Sequence, residues 1–240
     1  MNPKLLGIAS LMLGGVVLWS SPVTQAEQEG GTRAQVLAIL KKLETIEPFR
    51  CTSVATVIRP EGKGAPPLRS VSTQIWQKGP YFRSEPVGSK EGMLINRPEG
   101  FFIYSEAENG YTQTPDFAKE AILQGFKLPP NNATGVERIW ADALESPDLQ
   151  IIGTEAIDGK EATVISYTTS PLGVGRDDIK LWLWNEKGLM LKEEKTTSMN
   201  DNVIGTEITE WKDFVFEEIP DSLFEVPQDQ IQKLPEDWHP

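Results

Sequence analysis

The stretch that decides the fold is Ile179-Lys180-Leu181-Trp182-Leu183-Trp184. Read as a strand, it carries large apolar side chains on both faces, and so does Phe101-Phe102-Ile103-Tyr104. A strand that is apolar on both faces needs cover on both. We therefore expect helices on one face of the sheet and either packed core or a ligand cavity on the other. The sequence leaves these last two alternatives open.

Short β-like runs surround these two strands, each bounded by Gly, Pro or Asn. The runs are residues 51–59, 71–78, 81–85, 92–96, 101–105, 111–114, 149–157, 160–169, 178–184, 189–198 and 203–216. Strands this close in sequence leave no room for crossover helices, so the sheet is predicted to be antiparallel. The Asp158-Gly159 dipeptide is the strongest hairpin signal. Residues 60–67 are predicted to form a turn, and residues from 219 onward an irregular strap.

Three stretches predict helices that cover the sheet. A capping box at Thr32–Gln35 opens a helix over residues 33–45, and Thr114-Pro115 opens one over 116–124. A third helix begins near Val136, and its apolar residues form one stripe: Val136, Ile139, Trp140, Ala143 and Leu144. That stripe has to pack on an apolar surface.

The first 26 residues have the three-part layout of a secretory signal. Lys4 is followed by the apolar run Leu5–Trp19 and then by a short polar segment that ends in Thr24-Gln25-Ala26. The apolar run is shorter than the roughly 20 residues of a membrane-spanning helix. We therefore expect a signal peptide over 1–26, a single domain over 27–240, and a periplasmic location.

Composition excludes several functional classes. The formal net charge of −12 makes nucleic acid an improbable partner, because the surface repels phosphates. The single histidine, His239, is next to the C-terminus, and Cys51 is the single cysteine, expected on an early strand. A Ser-His-Asp triad or a His/Cys metal site therefore lacks its residues, and no glycine-rich phosphate loop is present. We expect no catalytic residues, no metal and no cofactor; a hydrolase that uses only carboxylates is a remaining hypothesis.

Several sequence segments, taken in their order along the chain, resemble the periplasmic lipoprotein carriers typified by LolA, with the related LolB and RseB-like domains. The segments are Lys42–Phe49, Ile75–Arg83, Met93–Asn96, Phe101–Tyr104, Leu181–Trp184, Leu191–Glu194 and Ile219–Pro227. The resemblance implies an α+β, mainly β fold: an incomplete antiparallel β-barrel with helices packed on its concave face as a lid. In this family the concave face holds acyl chains.

The resemblance implies a non-enzymatic periplasmic binding or carrier protein for lipoproteins or other acylated ligands. Its partners would be an acylated lipoprotein or lipid and a membrane-bound donor or acceptor protein, and it would be a monomer. The alternative is an RseB-like envelope-stress sensor, which is a regulatory interaction protein.

The predicted ligand-binding residues are apolar. Leu43, Phe49 and Leu94 fall where the resembled family lines its cavity, and we assign Phe102 and Trp140 to the same cavity. Ordinary core packing is the alternative for these side chains. The sequence departs from the carriers at Gly79, where they have an arginine before the proline that helps the lid to switch.

The signal layout makes a direct prediction about the exported protein. Mass spectrometry of the N-terminal peptide should give Glu27, or a residue within a few positions of it, as the first residue. Membrane-bound material that begins at Met1 would contradict cleavage.

Overall fold

The computed structural model describes residues 25–58, 69–114, 136–170, 175–200 and 202–232. The signal segment before residue 25, the predicted turn over 60–67 and the predicted helix over 116–124 lie outside these residues. The helices are α1 (Gln25–Leu40), followed by a 3₁₀ turn (Lys41–Thr45), α2 (Val136–Ile139) and α3 (Ala141–Leu144). The strands are β1 (Phe49–Ile58), β2 (Arg69–Lys78), β3 (Tyr81–Pro86), β4 (Leu94–Arg97), β5 (Gly100–Ser105), β6 (Gly110–Thr114), β7 (Gln150–Ile157), β8 (Lys160–Thr169), β9 (Arg176–Trp184), β10 (Met190–Met199), β11 (Asn202–Phe216) and β12 (Ile231–Gln232).

The twelve strands form one sheet that does not close into a barrel. Their order is β12-β6-β5-β4-β3-β2-β1-β11-β10-β9-β8-β7. Two antiparallel meanders, β1 to β6 and β7 to β11, are joined where β1 pairs with β11 through partners such as Ala55 and Thr209. The predicted antiparallel incomplete barrel is therefore confirmed. Only the short β12 runs parallel to its neighbour among the described strands.

Alternation along the strands separates two faces of the sheet. Phe49 and Cys51 of β1 and Ile75 of β2 point to the face that carries the largest apolar cluster, which we call the inner face. The opposite face is the outer face. The helices pack on the inner face, because the same cluster contains Val36, Leu40, Leu43, Val136, Trp140, Ala143 and Leu144. They contact β7, β8 and β9.

The apolar stripe predicted for residues 136–144 is buried, but the helix is not continuous. Trp140, with φ of −105° and ψ of 17°, separates α2 from α3. Its side chain is 1% exposed, and Val136, Ala143 and Leu144 are buried as the pattern predicted. Helical periodicity correctly predicted which side chains face the sheet. The interruption between α2 and α3 lies at Trp140, whose large indole ring is buried.

The C-terminal residues 217–230, which we call the strap, cover the outer face of β3 to β6. Ile219, Phe224 and Val226 are buried there against residues of β4, β5 and β6. Lys78 fixes the start of the strap by donating from Nζ to Glu218 Oε1 at 2.7 Å, Asp221 Oδ1 at 2.9 Å and the Ile219 carbonyl at 2.9 Å. The predicted irregular strap is present, and it continues into β12 at the edge of β6.

Gly79 forms the turn between β2 and β3. Its φ of +52° lies in the left-handed region, which costs an L-residue free energy, although a Cβ there would meet no atom within 4 Å. The positive φ therefore explains why glycine is favoured at this position. The turn geometry favours the interpretation of Gly79 as a turn residue.

Cys51 lies in β1 on the inner face and is 3% exposed. Burial, together with the nearby Asp213 carboxylate, raises the pKa of its thiol to about 12. The native thiol is therefore protonated and shielded at neutral pH. Cys51 is a free cysteine that packs as a small apolar side chain.

The raised pKa predicts how stability depends on pH. An unfolded thiol ionises near pH 9, whereas the native thiol stays protonated until about 12, so Cys51 lowers the free energy of unfolding as pH rises across that window. In the wild-type protein the free energy of unfolding should fall more steeply with pH than in Cys51→Ala, and the difference in slope should approach about 1.4 kcal/mol per pH unit. Denaturant melts of both proteins between pH 8 and pH 11 measure it; identical slopes would contradict the assignment.

Candidate functional site

Charge divides sharply between the two faces of β1 to β6. On the inner face of these strands the only charged residue is Arg69, at the start of β2. The outer face of the same six strands carries the charges: Arg50, Lys78, Arg83, Glu85 and Arg97. The other polar residues on the inner face of these strands are neutral, such as Ser53, Thr73 and Thr112. Apart from Arg69, the inner face of β1 to β6 is therefore an uncharged surface in an acidic protein.

The inner face also changes in burial along its strands. Near the turn of β2 and β3 its side chains are buried, as for Phe49, Phe82 and Phe101. Towards the other end of β1 the side chains are half-buried. These are Ser53, Ala55, Val57, Val71, Thr73, Leu94, Ile103, Thr112 and Trp211. Leu94, Ile103 and Trp211 pack against the large cluster from its margin.

A row of side chains crosses the buried end of the inner face at right angles to the strands. Strand pairing places the members side by side in the order Phe216, Phe49, Gln77, Phe82, Asn96, Phe101 and Thr114. Phenyl rings therefore flank two amides. The rings of Phe49 and Phe216 are 6.0 Å apart, which is an ordinary aromatic contact.

The two amides in this row are almost fully buried, with Gln77 2% exposed and Asn96 3% exposed. Gln77 donates from Nε2 to the Gly79 carbonyl at 2.5 Å, and Asn96 donates from Nδ2 to the Pro80 carbonyl at 2.8 Å. Their acceptor atoms, Gln77 Oε1 and Asn96 Oδ1, have no hydrogen-bond partner. A buried acceptor without a partner costs about 1 to 3 kcal/mol.

The structure brings four of the five predicted site residues together. Leu43, Phe49 and Trp140 belong to the inner-face cluster, and Leu94 packs against it. Phe102 does not join them: it pairs with Ile95, points to the outer face and is buried beneath the strap. The assignment of Phe102 to the same cavity is therefore wrong. Successive residues of a strand point to opposite faces, and in β5 it is Ile103 that lies on the face of Leu94.

Sequence reasoning also missed four inner-face residues. They are Ala55, Gln77, Asn96 and Trp211. Gln77 had a usable signal, since the two-residue turn at Gly79-Pro80 pairs Lys78 with Tyr81 and so places Gln77 opposite Phe82. Ala55 and Trp211 had none, because their positions depend on the pairing of β1 with β11, which are far apart in sequence.

A separate polar groove of about 430 Å³ lies on the outer face of β7 to β10. Its lining includes Ser166, Arg176, Asp178, Lys180 and Glu194, so both signs of charge are present. Arg176 and Asp178 form an ion pair at 2.6 Å, with both side chains largely exposed. The groove is chemically unlike the inner face and does not connect with the predicted site residues.

Two features are absent from the described part of the chain. Within it, no group of three or more His, Cys, Asp or Glu side chains is placed to hold a metal ion. None of the described helices combines the length and the hydropathy that a membrane crossing requires.

Comparison with known proteins supports the fold. No protein-family model matches the chain, and no curated protein matches it in sequence. Among solved structures, MucB superposes with a TM-score of 0.51 at 13% identity, over 88% of this chain and 68% of MucB. The lipoprotein LppX of Mycobacterium tuberculosis gives 0.44 at 11% identity, over 80% of this chain and 98% of LppX.

A LolA superfamily protein from Nitrosomonas europaea gives a TM-score of 0.38 at 12% identity, over 79% of this chain and 97% of that protein. Identities this low show the fold alone. Of these three structures MucB superposes with a TM-score above 0.5, and this superposition confirms the resemblance that the sequence suggested at the level of the fold.

Proposed function

We propose that this protein is a non-enzymatic binding protein of the cell envelope that holds an acyl chain on the inner face of its sheet. The observation that carries the proposal is the charge division over β1 to β6: one charged inner-face residue, Arg69, against five on the outer face. A large face of this kind that the protein's own side chains only half bury is typical of ligand-binding grooves and interaction sites.

Burial of methylene groups would supply the affinity. Each buried methylene contributes about 0.8 kcal/mol before the cost of association is subtracted. Leu94, Ile103 and Trp211 offer the apolar contacts. Ala55 lies diagonally across from Trp211 on the neighbouring strand and leaves room there because its side chain is small. Leu43, Phe49 and Trp140 would form the inner wall. Lipoproteins and other acylated lipids are the ligands that this chemistry suits.

The location and the partners belong to the same proposal. The N-terminal pattern over 1–26 favours export to the periplasm, where acylated molecules require shielding from water. A carrier there would receive its ligand from a membrane-bound donor and pass it to an acceptor, and it could act as a monomer.

A regulatory protein that senses lipid and docks on a membrane partner is the alternative. MucB has been solved in complex with MucA, and this chain covers 65% of MucB in that complex. Both functions need the same inner face to bind an acyl chain.

Two neighbouring residues of β1 test the proposal as a matched pair. Ala55 lies on the inner face and Val54 on the outer face, and both are half-buried. The wild-type protein should bind dansylaminoundecanoic acid at one saturable site. Ala55→Asp should weaken that binding by about tenfold or more, because the chain would bury an unpaired carboxylate, whereas Val54→Asp should change it less than about twofold.

Fluorescence titration and thermal melting on both variants complete the test. Equal loss of affinity in the two variants, or no saturable binding in the wild-type protein, would contradict the proposal. Leu94→Asn separates cavity from core: lower probe affinity assigns Leu94 to the cavity, and lost stability with unchanged affinity assigns it to the core.

A further inference from the structure

The amides of Gln77 and Asn96 converge near the turn of β2 and β3. Their nitrogens donate to the carbonyls of consecutive residues, Gly79 and Pro80, although Gln77 and Asn96 stand two strands apart. Both amides flank Phe82, which is fully buried. The two side chains on either side of Phe82 thus use their donors on the same turn.

These hydrogen bonds fix the orientation of both amides. Rotating either amide by half a turn would place its oxygen against a backbone carbonyl oxygen and lose the bond to the turn. The oxygens Gln77 Oε1 and Asn96 Oδ1 are therefore held in position without partners. Buried amide oxygens in proteins nearly always accept a hydrogen bond, so two such atoms in one row of the sheet, on either side of Phe82, indicate a missing donor.

The surroundings define the chemistry of that donor. The row around the amides consists of phenyl rings, and the described inner face of β1 to β6 has no acidic side chain and only the distant Arg69 as a cation. An anionic group would meet two carbonyl oxygens and no compensating charge, and a buried ammonium would meet no carboxylate. A neutral O–H or N–H group fits.

We infer that the inner face binds an amphiphile whose acyl chain carries a neutral hydrogen-bond donor, an amide N–H or a hydroxyl, and that Gln77 and Asn96 accept from it. The inference rests on the proposed function, which concerns the acyl chain, and specifies in addition the polar group of the ligand. Aromatic and aliphatic side chains hold the chain, and the paired amide oxygens select the donor over an ester, a ketone or a carboxylate.

Two compounds of nearly identical shape test this selection. Decanamide carries an NH₂ group where methyl nonyl ketone carries a methyl group, so only decanamide donates. Each is titrated as a competitor of dansylaminoundecanoic acid. Gln77→Met and Asn96→Leu remove one acceptor each, and each should lower the affinity for decanamide relative to the ketone by about fivefold, the size expected of one neutral hydrogen bond.

The control is Gln74→Met, because Gln74 lies in the same strand on the outer face and bonds to Thr52. It should leave the affinity ratio of the two compounds unchanged. A second measurement needs no variant: in the wild-type protein, the N–H protons of isotope-labelled decanamide should show nuclear Overhauser contacts with the ring of Phe82.

The outcomes separate the two proposals. If both compounds bind, no variant changes their affinity ratio and no contact to Phe82 is seen, the selection of a donor is wrong while acyl binding stands. If neither compound displaces the probe and the probe itself does not bind, the proposed function fails.

Discussion

The pairing of β1 with β11 is the contact on which the remaining structure depends. It joins two meanders that would otherwise be separate sheets, and it does so between strands more than 140 residues apart. Because side chains alternate along a strand, this one register decides which residues of β1, β2 and β11 face inward. A slip by one residue would exchange Ala55 for Val54 and bring Arg50 into the place of Phe49 or Cys51.

The same register explains how the open sheet stays folded although the inner face of β1 to β6 has Arg69 as its one charged residue. The outer face of β3 to β6 is covered by the strap, which Lys78 and Arg83 hold through carboxylates and backbone carbonyls. The inner face is covered by α1, α2 and α3 over β7 to β9. The strap and the helices cover different parts of the sheet, and the half-buried side chains around Ala55, on β1 in the middle of the strand order, stay available for a ligand.

The sequence predicted most of the local structure. Alternating apolar residues and turn dipeptides located the strands within a few residues, and the helical stripe located Val136, Trp140, Ala143 and Leu144. Local patterns could not provide contacts between distant segments. The β1 and β11 register, the parallel addition of β12 and the break at Trp140 all depend on tertiary packing. The candidate site shows the same difference between local patterns and strand pairing. Leu43, Phe49, Leu94 and Trp140 lie together. The position of Phe102 depends on the pairing of β4 with β5, which places Ile103 and not Phe102 on the face of Leu94.

Whether the protein carries an acyl ligand at all can be measured directly by native mass spectrometry. The exported protein, purified without detergent, is incubated with a lipid extract of the envelope and sprayed under non-denaturing conditions. The account predicts the mass of the chain plus a single lipid, with organic extraction returning the mass of the chain alone. Spectra that show only the bare chain after incubation would contradict a ligand-binding inner face.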